Sequence, residues 1–465
     1  MVAAESNSHW EAILSESSDQ EFAAGHNSLV RSGQMYERAK HVLPGGTTRA
    51  TTARQPTPIY AAEGEGAWLT DIDGNRYLDL NNNYTTLIHG HAFRPMIEAV
   101  ERQLRSGTCF ANPTEYEVSH AELLCDRVPS IERVRYVNTG TEALMFAVKA
   151  ARAITGRTKI AKFEGAYHGG YDWVEISEDS SPANWGDSSK PASVPFAKGT
   201  PAAVLDDVVI VPFNDLETTV ALLERHGAEL ACIVVDMVPA RAGLIPPDPG
   251  YFEAIRDVTQ RHGTVLISDE VLNFRQSYHG AAARFGVEAD LVTLGQIIGG
   301  GLPIGAIGGR TDLMTVFDSS ASDPPLPQGG TFSANPLSMV AGIASLTALD
   351  RAAFDHLERL GAKVRDGIAA AAAQRGLPIV VTGTASLFRI HIKAVVPRTY
   401  REAWPTPPEA KLLKAMSQSL ISKGVIMPAL TTSSLSTPMT DDDMDFLLAA
   451  IGEFFDSDAA KRMTE

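Results

Sequence analysis

One alternation governs what this chain can become. Short apolar, β-branched runs at Val134–Val137, Lys159–Phe163, Val208–Val211, Ala231–Val235, Thr264–Ile267 and Leu291–Leu294 are separated by helix-like segments such as Leu216–Arg225 and Tyr251–His262. Runs so uniformly apolar keep neither face in water, so they read as strands covered on both sides. Strand, helix, strand repeated in this way gives an α/β fold with a large, doubly wound, mostly parallel sheet. Such sheets bind ligands at the carboxyl ends of their strands. Asn138, Asp236, Asp269 and Gln296 all stand at or just after such ends.

At 465 residues the chain exceeds one hydrophobic core, so two domains are expected. The boundaries read as an N-terminal segment, 1–74, that joins a smaller α+β domain; a large domain, 75–345; and a C-terminal part of the smaller domain, 346–465. Asp73-Gly-Asn75 is a hairpin signal. Asp172–Pro201, rich in Ser, Pro, Gly and Asp, reads as a long surface excursion, and Ser319–Gly330 as a second loop. Residues 1 to about 40 look helical in places, with a disordered extreme N-terminus.

Net charge is −16, which argues against a nucleic-acid or anionic-membrane partner. Cys109, Cys125 and Cys232 have neither CxxC spacing nor paired histidines, so no metal site or disulfide framework is expected. The first thirty residues carry no long apolar stretch, so a cytoplasmic location is expected.

Several segments carry chemistry. Asn138-Thr-Gly-Thr-Glu-Ala143 follows a strand and opens a helix, where backbone amides and the macrodipole form an anion site. Taken alone it is also an ordinary helix cap. Thr264-Val-Leu-Ile-Ser-Asp-Glu-Val271 ends an apolar strand in Asp269, a buried carboxylate that needs a partner, with Arg275 or a helix N-terminus within reach. In Leu291–Gly305 the polar Gln296 stands between an apolar strand and a glycine-rich turn, presented alone at a pocket floor. Phe163-Glu-Gly-Ala-Tyr-His-Gly-Gly170 sets Tyr167 among glycines, and the adjacent His168 reads as a turn histidine with no catalytic role.

Together these segments closely resemble the class III pyridoxal-phosphate aminotransferases, the ω- and β-amino-acid aminotransferase and glutamate-1-semialdehyde aminomutase group, over roughly residues 40–455. The resemblance implies PLP fold type I and amino transfer between small-molecule amine and keto or aldehyde substrates. Two catalytic positions follow from it. Asp269 would pair with the cofactor's pyridine nitrogen, and Gln296 occupies the place of the lysine that forms a Schiff base and moves the proton. Thr139, Gly140 and Thr141 would bind the phosphate, Tyr167 would stack on the ring, and His168, Asp236 and Val271 would border it. Gly329-Gly-Thr-Phe-Ser-Ala-Asn-Pro336 is similar to the family segment whose threonine, here Thr331, reaches the neighbouring subunit's phosphate, which implies a homodimer with shared sites. Leu43-Pro-Gly-Gly-Thr-Thr-Arg49 resembles a segment whose arginine holds a substrate carboxylate; Arg49, Tyr84 and Arg241 are the substrate-side candidates.

The chain also departs from the family. Asp236-Met237 replaces a common Glu-Pro, and Ala429 or Leu430 stands where some relatives carry an arginine, which tilts the donor toward a less polar amine or an unusual β-amino acid. Gln296 has no titratable nitrogen. Cofactor would then be held, as pyridoxal 5'-phosphate, pyridoxamine phosphate or an external aldimine, without efficient proton transfer. An aminomutase, a non-catalytic cofactor-binding homologue, and use of another group for the proton step are the alternatives.

Overall fold

The structure is a computed structural model that describes residues 28–52, 56–430 and 432–461. The expectation of N-terminal disorder falls outside the described residues; the described chain opens on a helix at Val30–Lys40.

Strands β1 (Ala61–Glu65), β2 (Trp68–Asp71) and β3 (Arg76–Asp79) form an antiparallel meander. Asp71 builds its second turn, accepting from the amides of Asp73 at 2.9 Å and Asn75 at 2.8 Å, the local bonding that suits aspartate to turns. Position 74 thus lies inside this sheet.

The central body follows as β4 (Arg133–Val137), β5 (Lys159–Phe163), a small hairpin of β6 (Gly186–Asp187) and β7 (Lys190–Pro191), then β8 (Val208–Val211), β9 (Leu230–Val235), β10 (Val265–Asp269), β11 (Leu291–Gly295) and β12 (Gly305–Gly309). Seven of these make one sheet in the order β4-β12-β11-β10-β9-β5-β8. Neighbours from β8 to β11 pair parallel, while β12 runs antiparallel to both β11 and β4. Every residue of β9, β10, β11 and β12 is buried, as a sheet covered on both faces requires. β12 was not expected, because Gly-Ala-Ile-Gly-Gly lacks the β-branched signature. Its glycines are there because the neighbours come close: a Cβ on Gly305 would lie 2.1 Å from the Thr139 carbonyl oxygen, and one on Gly309 would lie 2.7 Å from that of Asp290.

Asp172–Pro201 also differs from the expected surface loop. Val174, Ile176, Ser177, Glu178 and Ser180 are buried, while the small hairpin and residues 195–199 stay largely outside. Its composition reported irregular backbone, which is not the same as exposure.

The chain ends meet. β13 (Val380–Thr382) and β14 (Leu387–His391) precede β15 (Val425–Ile426), which pairs parallel with β3, and β16 (Ser433–Ser434), which pairs with β14. Helix Asp441–Phe455 packs on the long helix Arg351–Gln374 beside them. No single helix among the described residues is long and apolar enough to cross a membrane. Arg275 ties these parts to the central body. Its guanidinium, fully buried, donates to the carbonyl of Thr85 at 2.8 Å, to Ser386 Oγ at 3.0 Å and to the carbonyl of Leu435.

Candidate active site

The carboxyl end of β10 sets the floor. Asp269 is 6% exposed, and its Oδ2 lies 2.6 Å from His168 Nδ1. Its Oδ1 accepts from the Val271 amide at 3.0 Å and from Thr293 Oγ1 at 3.3 Å. The partner that sequence alone left open is therefore His168 and not Arg275. Burial pushes the His168 pKa down against the pull of Asp269, so a neutral ring with its proton on Nδ1 meets the carboxylate. Its Nε2 is buried without a partner.

Asp236, at the end of β9, accepts from the Val238 amide at 3.0 Å and from Asn273 Nδ2. Burial, with the Asp269 charge beside it, pushes its carboxyl well above the usual range. Glu270 turns away from the site to cap the short helix at Ala281, accepting from the amides of Ala281 and Ala282 at 2.7 Å each, and burial pushes it up to about 7.

Helix Gly140–Thr155 opens directly after Thr139, its N-cap. Thr139 Oγ1 accepts from the Glu142 amide at 3.1 Å. The amides of Gly140 and Thr141 have no acceptor within the helix. Thr141 Oγ1 accepts from the Gly170 amide at 3.2 Å, which leaves its own proton to donate. A Cβ on Gly140 would lie 2.7 Å from Val271 Cγ1, and one on Gly295 would lie 3.2 Å from the same atom. Val271 therefore packs between Gly140 and Gly295, the residue that precedes Gln296. Thr331 is exposed, next to Gly330, whose Cβ position lies 3.5 Å from Asn138 Nδ2.

Gln296 leaves β11 with φ 50°. Its Oε1 accepts from Thr85 Oγ1 at 2.8 Å. Thr85 closes a run of four non-glycine residues in the left-handed region, Asn82, Asn83, Tyr84 and Thr85, with φ of 47°, 50°, 55° and 71°. Such backbone persists only when its surroundings hold it. Here Asp79 Oδ1 takes the amides of Asn81 and Asn82, Asn81 Oδ1 takes that of Tyr84, Asn82 Nδ2 donates to the Ser434 carbonyl, and Arg275 grips the Thr85 carbonyl. Arg49 donates to Asn83 Oδ1 at 2.8 Å and lies 5.7 Å from the Tyr84 ring, whose hydroxyl donates to Thr51. Arg49 and Tyr84 thus stand together beside the Thr85–Gln296 contact.

Tyr167, 53% exposed, presents its ring next to buried His168. The Arg241 guanidinium lies 5.9 Å from that ring and 2.6 Å from Glu178. Sequence reading missed Thr85, Glu178 and Lys162. Lys162 is fully buried in β5, with Nζ donating to the carbonyls of Ala166 at 2.9 Å and Ile176 at 2.7 Å. A lysine inside an apolar strand was the available signal.

A carboxylate fixed at a strand end, two orphan amides with a free hydroxyl, an exposed aromatic face and close-approach glycines fit an aromatic cofactor that carries a ring nitrogen and a phosphate. The family model for aminotransferase class-III matches residues 50–438. The chain belongs to the class III aminotransferases. Among class III relatives, glutamate-1-semialdehyde 2,1-aminomutase 2 of Geobacillus kaustophilus is 38% identical over 434 residues, 92% of this chain and 98% of the other. An omega-transaminase from Sphaerobacter thermophilus superimposes with a TM-score of 0.90 at 43% identity, covering 94% of this chain and 100% of that one. A transaminase with PLP bound gives a TM-score of 0.87 at 38% identity, covering 95% and 100%. As a class III aminotransferase with this donor set, the chain has pyridoxal phosphate as its cofactor.

Proposed function

We propose that this chain is an aminotransferase pocket for an amine or β-amino acid donor and a keto or aldehyde acceptor, with Gln296 at the place of the cofactor-bonding lysine. The observation that carries the reading is Gln296 itself, held by Thr85 at the end of β11 while the rest of the donor set is complete. Bound pyridoxal phosphate would supply a reactive carbonyl and an electron-withdrawing ring.

The chain's own residues divide the remaining work. Asp269, oriented by His168, would accept a hydrogen bond from the protonated ring nitrogen and so keep that nitrogen protonated. Tyr167, whose ring is exposed, would stack on the cofactor ring, and Val271, packed against Gly140 and Gly295, would border it. The amides of Gly140 and Thr141 and the Thr141 hydroxyl would hold the phosphate, joined by Thr331 from a second copy in a homodimer. Arg49, Tyr84 and Arg241 border the substrate. The Gln296 amide hydrogen-bonds but takes up no proton at neutral pH, so cofactor is retained while turnover is impaired. Both chain ends make up the smaller domain, a reading that the β3–β15 pairing supports, and because β3 lies beyond position 74 the cofactor-binding body expected at 75–345 begins after β3.

The test is the Gln296→Lys variant, incubated with pyridoxal phosphate, reduced with borohydride and mapped by mass spectrometry beside the parent. A phosphopyridoxyl group on residue 296 in the variant alone is expected. Its absence from both chains sinks the reading and favours a non-catalytic binding protein. Amino migration within one molecule is a second reading, favoured by the identity to the Geobacillus aminomutase. Release of free keto product by the Gln296→Lys variant excludes it.

A further inference from the structure

One cluster beside Tyr167 is built with more care than a surface arginine needs. Arg389, buried in β14, donates to the carbonyls of Ala240 and Arg241 at 3.0 Å each. Thr382 Oγ1 donates to the Gly243 carbonyl at 2.6 Å. These bonds fix the backbone that carries Arg241. Glu178 then fixes the side chain, because its carboxylate, 1% exposed, accepts from Arg241 Nη1 at 2.6 Å. The second Glu178 oxygen is buried without a partner, so the carboxylate has nowhere else to turn.

A guanidinium has five N–H donors in a fixed fork, and the bond to Glu178 leaves the others free to bind. The Arg241 side chain is 31% exposed. Its exposed part lies between two aromatic rings, 5.9 Å from Tyr167 and 6.0 Å from Phe196, and both rings are exposed themselves. An arginine in solvent spends rotamer entropy on every contact, whereas this one is already oriented when a ligand arrives. Arg49 is the opposite case: it is exposed, with a bond to the Asn83 amide oxygen and, among the described residues, no carboxylate paired with it.

We propose that Arg241 anchors the carboxylate of the substrate and that Phe196 flanks the substrate's apolar body. The ligand class is therefore an organic carboxylate with a flat or apolar body, and the recognition residue is Arg241 rather than Arg49. This rests on the reading that Tyr167 borders the cofactor.

The experiment is calorimetric titration of the full chain loaded with pyridoxamine phosphate, with 3-phenylpropanoate and its neutral amide as probes. The acid should bind the parent at least about tenfold tighter than the amide. Arg241→Gln should bring that ratio to about one, and Arg49→Gln should leave it within about twofold. A ratio near one in the parent, a ratio retained in Arg241→Gln, or a ratio lost in Arg49→Gln overturns the proposal. Arg49 is exposed, so its variant decides the matter even if Arg241→Gln does not fold. A parent that takes up no pyridoxamine phosphate defeats the cofactor reading itself. A parent that takes it up but ignores the carboxylate defeats only this inference.

Discussion

Asp269 and Thr85 meet β11 and the residue that follows it from opposite kinds of backbone. Asp269 ends a regular, wholly buried strand, and its bonds run to Thr293 on β11, to the next turn and to His168. Thr85 ends four residues of left-handed backbone, each of order 1–3 kcal/mol above the relaxed state. That wall stands because particular side chains, Asp79, Asn81, Asn82 and Arg275, hold it. The floor follows from the sheet, while the wall depends on individual contacts. Chemistry common to a family belongs on the first kind of support, and selectivity can change on the second without disturbing it.

The largest expected effect is at the floor. Asp269→Asn removes the charge that faces His168 and that, on the proposed function, would meet the ring nitrogen, and pyridoxal phosphate retention in equilibrium dialysis should weaken about a hundredfold or more, roughly 2.7 kcal/mol. Retention within about threefold of the parent would make the floor no more decisive than the wall.

A second effect tests the layer beneath. His120 lies under the turn of Gln296, with Nε2 on the Ile298 carbonyl, and burial lowers its pKa from 6.5 to about 4. The unfolded chain binds that proton below pH 6.5 while the native chain does not until about pH 4. Stability therefore falls with falling pH across that window. Relative to a His120→Gln variant, the parent should lose about 1.4 kcal/mol per pH unit well below 6.5 in urea unfolding. Taking the difference matters, because Asp236 and Glu270, whose pKa values are raised, act in the opposite sense. Parallel curves for parent and variant would place His120 outside the buried support.

Smaller effects belong to the wall. Thr85→Val leaves the Gln296 carbonyl oxygen without its donor and should cost about 1 kcal/mol in urea unfolding, with Thr85→Ser restoring most of it. Equal losses in both variants would mean that shape, and not the hydrogen bond, holds Gln296. Arg49→Ala should change stability by less than about 0.5 kcal/mol, as exposed residues with one neutral partner do. A cost above about 1 kcal/mol would make Arg49 part of the brace that supports residues 82–85.

What could be read from the sequence divides along the same line. The ends of β4, β9, β10 and β11 were visible because apolar runs point at Asn138, Asp236, Asp269 and Gln296. β12 was hidden because close neighbours demanded glycine where a strand signature would otherwise stand. The His168–Asp269 bond spans 101 positions and Thr85–Gln296 spans 211, so no local pattern announces either pairing. Glu178 lay in a stretch whose composition told of irregular backbone while its side chains went inside.

Arg275 has a further electrical consequence. Its three acceptors are two carbonyls and a hydroxyl, so a full positive charge is met there by dipoles alone, and burial lowers its pKa to about 9, still protonated at neutral pH. The field of such a charge decays slowly in a poorly polarisable interior. One of those carbonyls belongs to Thr85, the residue that touches Gln296. An amine placed at position 296 would feel that field and release its proton more readily than a lysine in water. The pocket thus holds a potential that would turn an ammonium at position 296 into a base, whereas the chain carries an amide there.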